Sequence, residues 1–430
     1  MTKPLTVAIA GLGTVGAGTV KLLQEHAALL ADRAGRPIRL KSVSARDRKR
    51  DRGLDLSGIE WVEDPVKLAA DPEIDAVVEL IGGSDGIAKA LVEAALGSGK
   101  YVVTANKALI AHHGTALART AEKAGVSIAY EAAVAGGIPI IKLLREGLAA
   151  NRIKRVYGIL NGTCNYILTT MRQTGREFAD VLADAQRLGY AEADPSFDVD
   201  GVDAAHKLAI LTSVAFGCEI NFAGVHVEGI RHVSAVDIAY AEELGYRIKL
   251  LGIASMAEHG VEQRVHAAMV PLDAPIAHVE GVFNAVVTEG DFVGQNVAEG
   301  RGAGAGPTAS AVVADLLDLA RGRSLPAFAV PADKLAKLPT LPMERHHGAY
   351  YVRLMVVDRP GVIADVAAAL RDERVSMEAM LQRGRAPEEA VPVVLTTHET
   401  EEAAMRRALA RIAALDTVTE PPRMIRIETL

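Results

Sequence analysis

The stretch LTVAIAGLGTVG, residues 5–16, joins an apolar run to three spaced glycines. Residues 5–10 read as a buried strand, and Gly11, Gly13 and Gly16 follow at GxGxxG spacing. In that pattern the first glycine permits a tight turn, the second lets backbone approach a pyrophosphate, and the third lets a helix pack on the strand. Thr14 and Val15 open the helix, whose N-terminus favours phosphate charge. Alone, the pattern also describes an ordinary turn. Its context selects between the readings: IRLKSVSA, IEWV, IDAVVELI, YVVTA and VSIAYE alternate with helical segments up to about residue 131. Such alternation implies a parallel sheet wrapped by helices, a Rossmann-type doubly wound domain over residues 1–135.

Further along, residues 151–216 read as helix-rich, and strand-like runs follow near 247–256, 262–270 and 282–289. Residues 136–304 are therefore expected to form an α+β catalytic and dimerisation domain. A glycine run at 300–306 precedes PTASAVVADLLDLARG, a helix with Pro307 at its start. This helix is expected to return to the nucleotide domain and complete it over residues 305–325. The proline-rich residues 326–347 read as a linker. Residues 348–430 give a βαββαβ order, a ferredoxin-like unit.

The 430 residues suit two or three domains, and half of them are hydrophobic. A net charge of −7 with 4% aromatic residues argues against a nucleic-acid or membrane-binding face. No run of about 18 apolar residues or secretory leader pattern is visible, so a soluble, cytoplasmic protein is expected. Cys164 and Cys218 make no disulfide framework or metal cluster and read as reduced structural cysteines.

The run GYAEADPSFDVDGVDAAHK, residues 189–207, gathers Glu192, Asp194, Asp198, Asp200 and Asp203 ahead of Lys207. Asp200, Asp203 and Lys207 fall on one helical face. A structural reading makes Asp200 an N-cap and Asp203–Lys207 a surface ion pair. Residues 204–216 are nearly all apolar otherwise, which instead implies a buried helix and a lysine poised to exchange a proton. YVVTANK sets Thr104, Asn106 and Lys107 just past another strand, on the sheet edge where ligands bind. The second strand ends at Ser44, and Arg46 stands where an NAD-selective site carries an acid. A guanidinium there suits a 2′-phosphate, so NADP is preferred over NAD; Asp47 and Asp51 also permit a solvated loop. Gly300, Gly302, Gly304 and Gly306 fit either a flexible loop or a close backbone approach.

Together these residues resemble the homoserine dehydrogenase family. The family signature corresponds to Ala185, Gly189, Asp194, Pro195, Asp198, Gly201, Asp203 and Lys207; ELIGG, VTANKALIA, EAAVAGGIPII, LNGTCNYIL and GRGAGAGPTASAVVADL look alike as well. The tail is similar to an ACT domain. One departure is Ile87, where the family usually has proline.

The resemblance implies NAD(P)-dependent interconversion of L-aspartate 4-semialdehyde and L-homoserine, on the way to threonine and methionine, by a homodimer or homotetramer. It implies Lys207 and Lys107 as catalytic lysines, Glu192 and Asp203 as holders of the substrate ammonium, and Asp198 in support. Ser84, Thr104, Lys107, Gly189, Glu192 and Gly304 would meet the cofactor. A sodium ion would sit at Glu131, Val134, Gly136 and Ile138. The turn bearing Asp358, Gly361 and Val362 would take an amino-acid effector such as threonine, or the tail would only support oligomerisation. Alternatives are another amino-acid or semialdehyde dehydrogenase, with Cys164 the one tempting nucleophile, or a non-catalytic dinucleotide and amino-acid sensor. Arg46→Ala is expected to raise the Michaelis constant for NADP relative to that for NAD; an unchanged ratio in initial-rate assays counts against the guanidinium's role.

Overall fold

The computed structural model describes residues 2–383 and 389–430. Its N-terminal part carries β1 (Leu5–Ala10), α1 (Thr14–Glu25), α2 (Ala27–Ala34), β2 (Ile38–Ser44), β3 (Glu60–Trp61), β4 (Ala76–Glu79), α3 (Ile87–Gly97), β5 (Tyr101–Thr104), α4 (Lys107–Lys123) and β6 (Ile128–Ala129). The strands are parallel in the order β3-β2-β1-β4-β5-β6. β1 is buried at every position because helices cover both faces of the sheet. Strand order reverses between β1 and β4, and the crevice there opens beside the glycine turn. Gly11 adopts φ +99, with its missing Cβ directed 2.3 Å from the Leu80 carbonyl oxygen. A Cβ on Gly16 would stand 1.9 Å from the Gly11 oxygen, so α1 can approach β1 only through glycine. Ile87 opens α3, the N1 position at which proline would fit, and the helix forms without it.

The chain then forms α5 (Ile140–Lys142), β7 (Ile153–Ile159), α6 (Gly162–Thr174), α7 (Phe178–Arg187), α8 (Ser196–Val199), α9 (Val202–Phe216), β8 (His226–Val227), α10 (Ala235–Glu243), β9 (Tyr246–Ala257), β10 (Gly260–Pro271), β11 (Phe283–Gly290), β12 (Gly294–Arg301) and α11 (Ala305–Ala320). The tail adds β13 (His347–Val357), α12 (Val362–Asp372), β14 (Met377–Gln382), β15 (Ala390–Thr397), β16 (Thr400–Glu401), α13 (Glu402–Ala413) and β17 (Arg423–Ile427), the βαββαβ order with one added bridge strand. Val312, Val313 and Leu316 of α11 share a core with Val7, Ile9 and Val20, and a Cβ on Gly18 of α1 would meet the Ala305 oxygen at 2.8 Å.

Four features differ from the reading of the sequence. β7 lies inside the stretch read as helix-rich and is central to the second sheet. The glycine run begins inside β12, and Gly300 and Gly302 serve close packing: their missing Cβ atoms would meet Ile138 and Asn284. The proline-rich segment is no free linker, because Phe328 is buried and Tyr130 Oη donates to the Ala327 carbonyl at 2.5 Å. Most importantly, the tail does not stand apart. β17 pairs in parallel with β10, giving one eleven-stranded sheet, nine strands in the order β12-β11-β7-β9-β10-β17-β13-β15-β14 with β8 added on β10 and β16 on β13.

Gly16→Ala is expected to lower stability by about 1–3 kcal/mol, the usual range for overpacking, and to abolish dinucleotide binding. Urea denaturation and quenching of protein fluorescence by the nucleotide check both; normal nucleotide affinity in a folded variant counts against the close approach.

Candidate active site

Helix α9 begins after Gly201, which turns the chain at φ 87 and leaves α9 without a side-chain cap. Asp200 is therefore not the N-cap; Arg231 holds it on the surface through paired hydrogen bonds of 2.5 and 3.3 Å. Every residue of α9 from Asp203 through Val214 is buried. Lys207 Nζ donates to Asp203 Oδ2 and to the Leu160 carbonyl, both at 2.7 Å. Lys107 Nζ lies 2.9 Å from Asp203 Oδ1. One carboxylate thus joins two ammonium groups. Burial opposes its charge, but Lys207 and Lys107 hold the Asp203 carboxyl far below the usual carboxylate range. Burial likewise works against the Lys107 ammonium, yet Asp203, Asp198 and Glu192 hold its pKa above the ordinary lysine value.

Asn161 organises the other side. It caps α6 by accepting from Cys164 N at 2.8 Å, while its amide donates to Asp198 Oδ1 and Asp203 Oδ2, each at 2.8 Å. Thr163 Oγ1 donates to the other oxygen of Asp198 at 3.0 Å. Asp203 has both oxygens taken up by three donors, whereas Glu192 is exposed beside the site. Cys164 is buried, and burial first, then Asp198 and Asp203, push its thiol well above the ordinary value. An acyl-enzyme route needs a thiolate, which this environment opposes.

Lys107 is positioned from the nucleotide sheet. Glu79, at the end of β4, accepts from Ile81 N and Gly82 N with one oxygen and from Thr104 Oγ1, at 2.6 Å, with the other. Thr104 is fully buried in that contact. Asn106 caps α4 and donates to the Gly83 carbonyl at 2.7 Å, so the loops after β4 and β5 are tied together with Lys107 as the first residue of α4. Ser84 donates to Asp85 at 2.7 Å on this loop. Gly11, Gly13, Thr14, Val15 and Gly16 form the β1–α1 turn; Gly304, at φ 121, precedes α11, and Gly189 turns the chain at φ 76 ahead of Glu192. Arg46 is exposed just beyond Ser44, the partner of Ala10 in the sheet. A second basic residue, Arg52, reaches the glycine turn by donating to the Leu12 carbonyl at 3.0 Å.

Glu131, Val134, Gly136 and Ile138 lie on one buried turn against the glycine run, with Gly137 N donating to the Arg301 carbonyl at 2.9 Å. In the tail, Gly361 adopts φ 100 before α12, Val362 is buried, and Asp358 accepts from Gln382 at 3.4 Å. Asn161, Thr163 and Glu79 were not singled out from the sequence. An Asn immediately before a helical run is a capping signal, but Asn161 becomes conspicuous only once β7 is placed ahead of it.

Residues 139–317 match the homoserine dehydrogenase family, residues 11–131 the homoserine dehydrogenase NAD-binding domain, and residues 350–416 the ACT domain. The homoserine dehydrogenase of Pseudomonas aeruginosa is 48% identical over 100% of both chains. This chain belongs to the homoserine dehydrogenase family. A crystal structure of the homoserine dehydrogenase from Thiobacillus denitrificans superposes with a TM-score of 0.94 at 49% identity, covering 99% of this chain and 98% of that one. A hyperthermophilic archaeal homoserine dehydrogenase in complex with NADPH aligns over 74% of this chain and 97% of its own, at 28% identity and a TM-score of 0.63. The chain is thus an oxidoreductase of mixed α/β fold, with a Rossmann-like nucleotide sheet, a catalytic domain and a C-terminal ACT domain. No described helix is long and apolar enough to cross a membrane.

Beside the lysines, His206 stacks on Phe222 and its Nε2 lies 3.2 Å from His112 Nε2. Burial first, then His112, lower its pKa from 6.5 to about 4. The unfolded chain takes up that proton near pH 6.5 while the folded one does not until about 4, so the associated stability is complete above 6.5 and lost as pH falls towards 4. His206→Gln is expected to remove roughly 2–3 kcal/mol of the acid-side loss. Urea denaturation at stepped pH checks it, and an unchanged slope between those values counts against it.

Proposed function

We propose that the protein reduces L-aspartate 4-semialdehyde to L-homoserine and runs the reverse oxidation, with Lys207 as the proton donor and NADP preferred over NAD. The observation carrying this reading is Asp203 held between two lysines. An ammonium has three N–H donors, and the two that Lys207 gives to Asp203 and Leu160 leave one for a substrate oxygen. Asp203 bonds both lysines and keeps the Lys107 ammonium charged, so its role is to hold them rather than to grip the substrate ammonium. That ammonium is met by Glu192, with Asp198 behind it, and Lys107 orients the substrate.

The glycine turn suits a dinucleotide: nothing lies within 4 Å of where a Cβ of Gly13 would stand, and the first turn of α1 has neither an acidic residue nor a side-chain cap. When bound, the nicotinamide supplies or accepts the hydride. Lys207 Nζ gives a proton to the oxygen as the carbonyl carbon gains that hydride, and takes it back in the reverse direction. Gly189, Glu192, Ser84 and Gly304 border the nicotinamide end, while Arg46 faces the 2′-phosphate. NADPH in the archaeal relative supports the preference.

The turn of Glu131, Val134, Gly136 and Ile138 fits a sodium ion. Burial, then Asp315, raise the Glu131 pKa to about 8, which favours the neutral acid, and a bound monovalent cation would draw it back to the carboxylate; the ion's role is to hold the inter-domain loop. The ACT domain, through Asp358, Gly361 and Val362, makes threonine feedback the regulatory reading, in a cytoplasmic homo-oligomer serving threonine and methionine synthesis.

With aspartate semialdehyde and NADPH, absorbance assays are expected to show Lys207→Ala lowering kcat by about 10²–10⁴, with Lys107→Ala chiefly raising KM for the semialdehyde. No turnover by the wild type rejects the enzyme reading, and retained kcat in Lys207→Ala rejects the proton role.

A further inference from the structure

A cavity of about 340 Å³ lies away from the lysines, where the tail joins the catalytic sheet. Its walls come from β7, the β9–β10 hairpin, the start of β13 and the end of β17. Three guanidiniums (Arg155, Arg264, Arg345) and three carboxylates (Glu262, Glu399, Glu428) line it.

Four of the six are fastened to each other. Arg264 donates to both oxygens of Glu428 at 2.8 and 2.9 Å and to Glu262 at 2.8 Å; Arg155 reaches Glu428 at 3.3 Å; His346 Nδ1 lies 2.6 Å from Glu262. Burial opposes Glu428, but Arg264 holds its pKa down at about 2, so this floor stays charged. The remaining pair, Arg345 and Glu399, is exposed, and neither side chain has an ion-pair partner among the described residues.

We infer that this cavity binds a small zwitterionic amino acid, its carboxylate on Arg345 and its ammonium on Glu399. A simple anion or cation would meet as much repulsion as attraction from a lining balanced in sign, whereas a molecule carrying both charges meets a partner for each. The volume is at the small end of ligand pockets, roughly 300–1,000 Å³. The site is separate from the Asp358 turn, which begins at the far end of β13. Its occupancy has a structural outlet. The His346 carbonyl accepts from Glu402 N at 2.8 Å; Glu402 and Glu228 both bind Arg426; and Ile230 N donates to the Val199 carbonyl at 2.9 Å, next to Asp198. The inference rests on the reading of this chain as amino-acid-responsive only in its choice of probes.

Isothermal titration of the full chain with L-threonine, L-serine and L-methionine tests it, with acetate and ethylammonium as single-charge probes. At least one amino acid is expected to bind, with acetate and ethylammonium weaker by about tenfold or more. Arg345→Ala and Glu399→Gln are each expected to raise its Kd by about tenfold, with basal homoserine oxidation and Tm unchanged. No binding by any of the three amino acids, equal binding of a single-charge probe, or an unchanged Kd in either variant overturns the proposal. Binding that the two substitutions weaken, with turnover untouched by threonine, keeps the cavity and removes threonine feedback. Threonine inhibition together with an unchanged Kd in both variants keeps feedback, at the Asp358 turn, and removes the cavity.

Discussion

The site depends on one buried carboxylate that neutralises part of the charge of two ammonium groups. Asp203 is sequestered on α9, Lys207 is one turn further along the same helix, and Lys107 arrives from the nucleotide sheet. Removing one member of such a group leaves an uncompensated buried charge, which commonly costs about 3–5 kcal/mol. The arrangement therefore links chemistry to domain placement: Lys107 reaches Asp203 only if α4 begins where Asn106 and Glu79 start it. Asn161 extends the same constraint by donating to Asp198 and Asp203 with one amide.

The parts legible in the sequence are those specified locally. GLGTVG declares its turn because glycine is sterically required at Gly11 and Gly16, and the apolar run beyond Asp203 declares a buried helix. β7 is not legible in this way. It lies between β11 and β9 with its last four residues buried, so no alternation marks IKRVYGI as a strand. β12, GQNVAEGR, is half-exposed and bracketed by glycines, a composition shared with loops. Losing β7 also hid Asn161 and Thr163. Asp200 looked like a cap by spacing, but Gly201 at φ 87 breaks the chain direction between Asp200 and α9.

Long-range pairing was invisible for a different reason: nothing in MIRIE says that it will lie against β10. The join is nonetheless heavily built. Arg426 of β17 is buried and binds both Glu402, at the start of α13, and Glu228, beside β8. Asp237 of α10 accepts from Tyr351 and Arg353 of β13. These polar contacts are satisfied pairwise, which fixes one docking geometry where apolar contact alone would permit sliding.

The pairing of β17 with β10 bears on modularity. A ferredoxin-like tail is usually pictured as an appendage that could be cut off or exchanged without harm to the body it regulates. Here the final strand of the described chain supplies hydrogen bonds to the interior of the catalytic sheet, including Glu428 N to the Met269 carbonyl at 2.9 Å. Cutting the tail away would bare unpaired amides along β10 and strand the Arg264 guanidinium in the interior, inviting association between exposed strands. The body of this protein was shaped around its tail, so the two would have to be transplanted together.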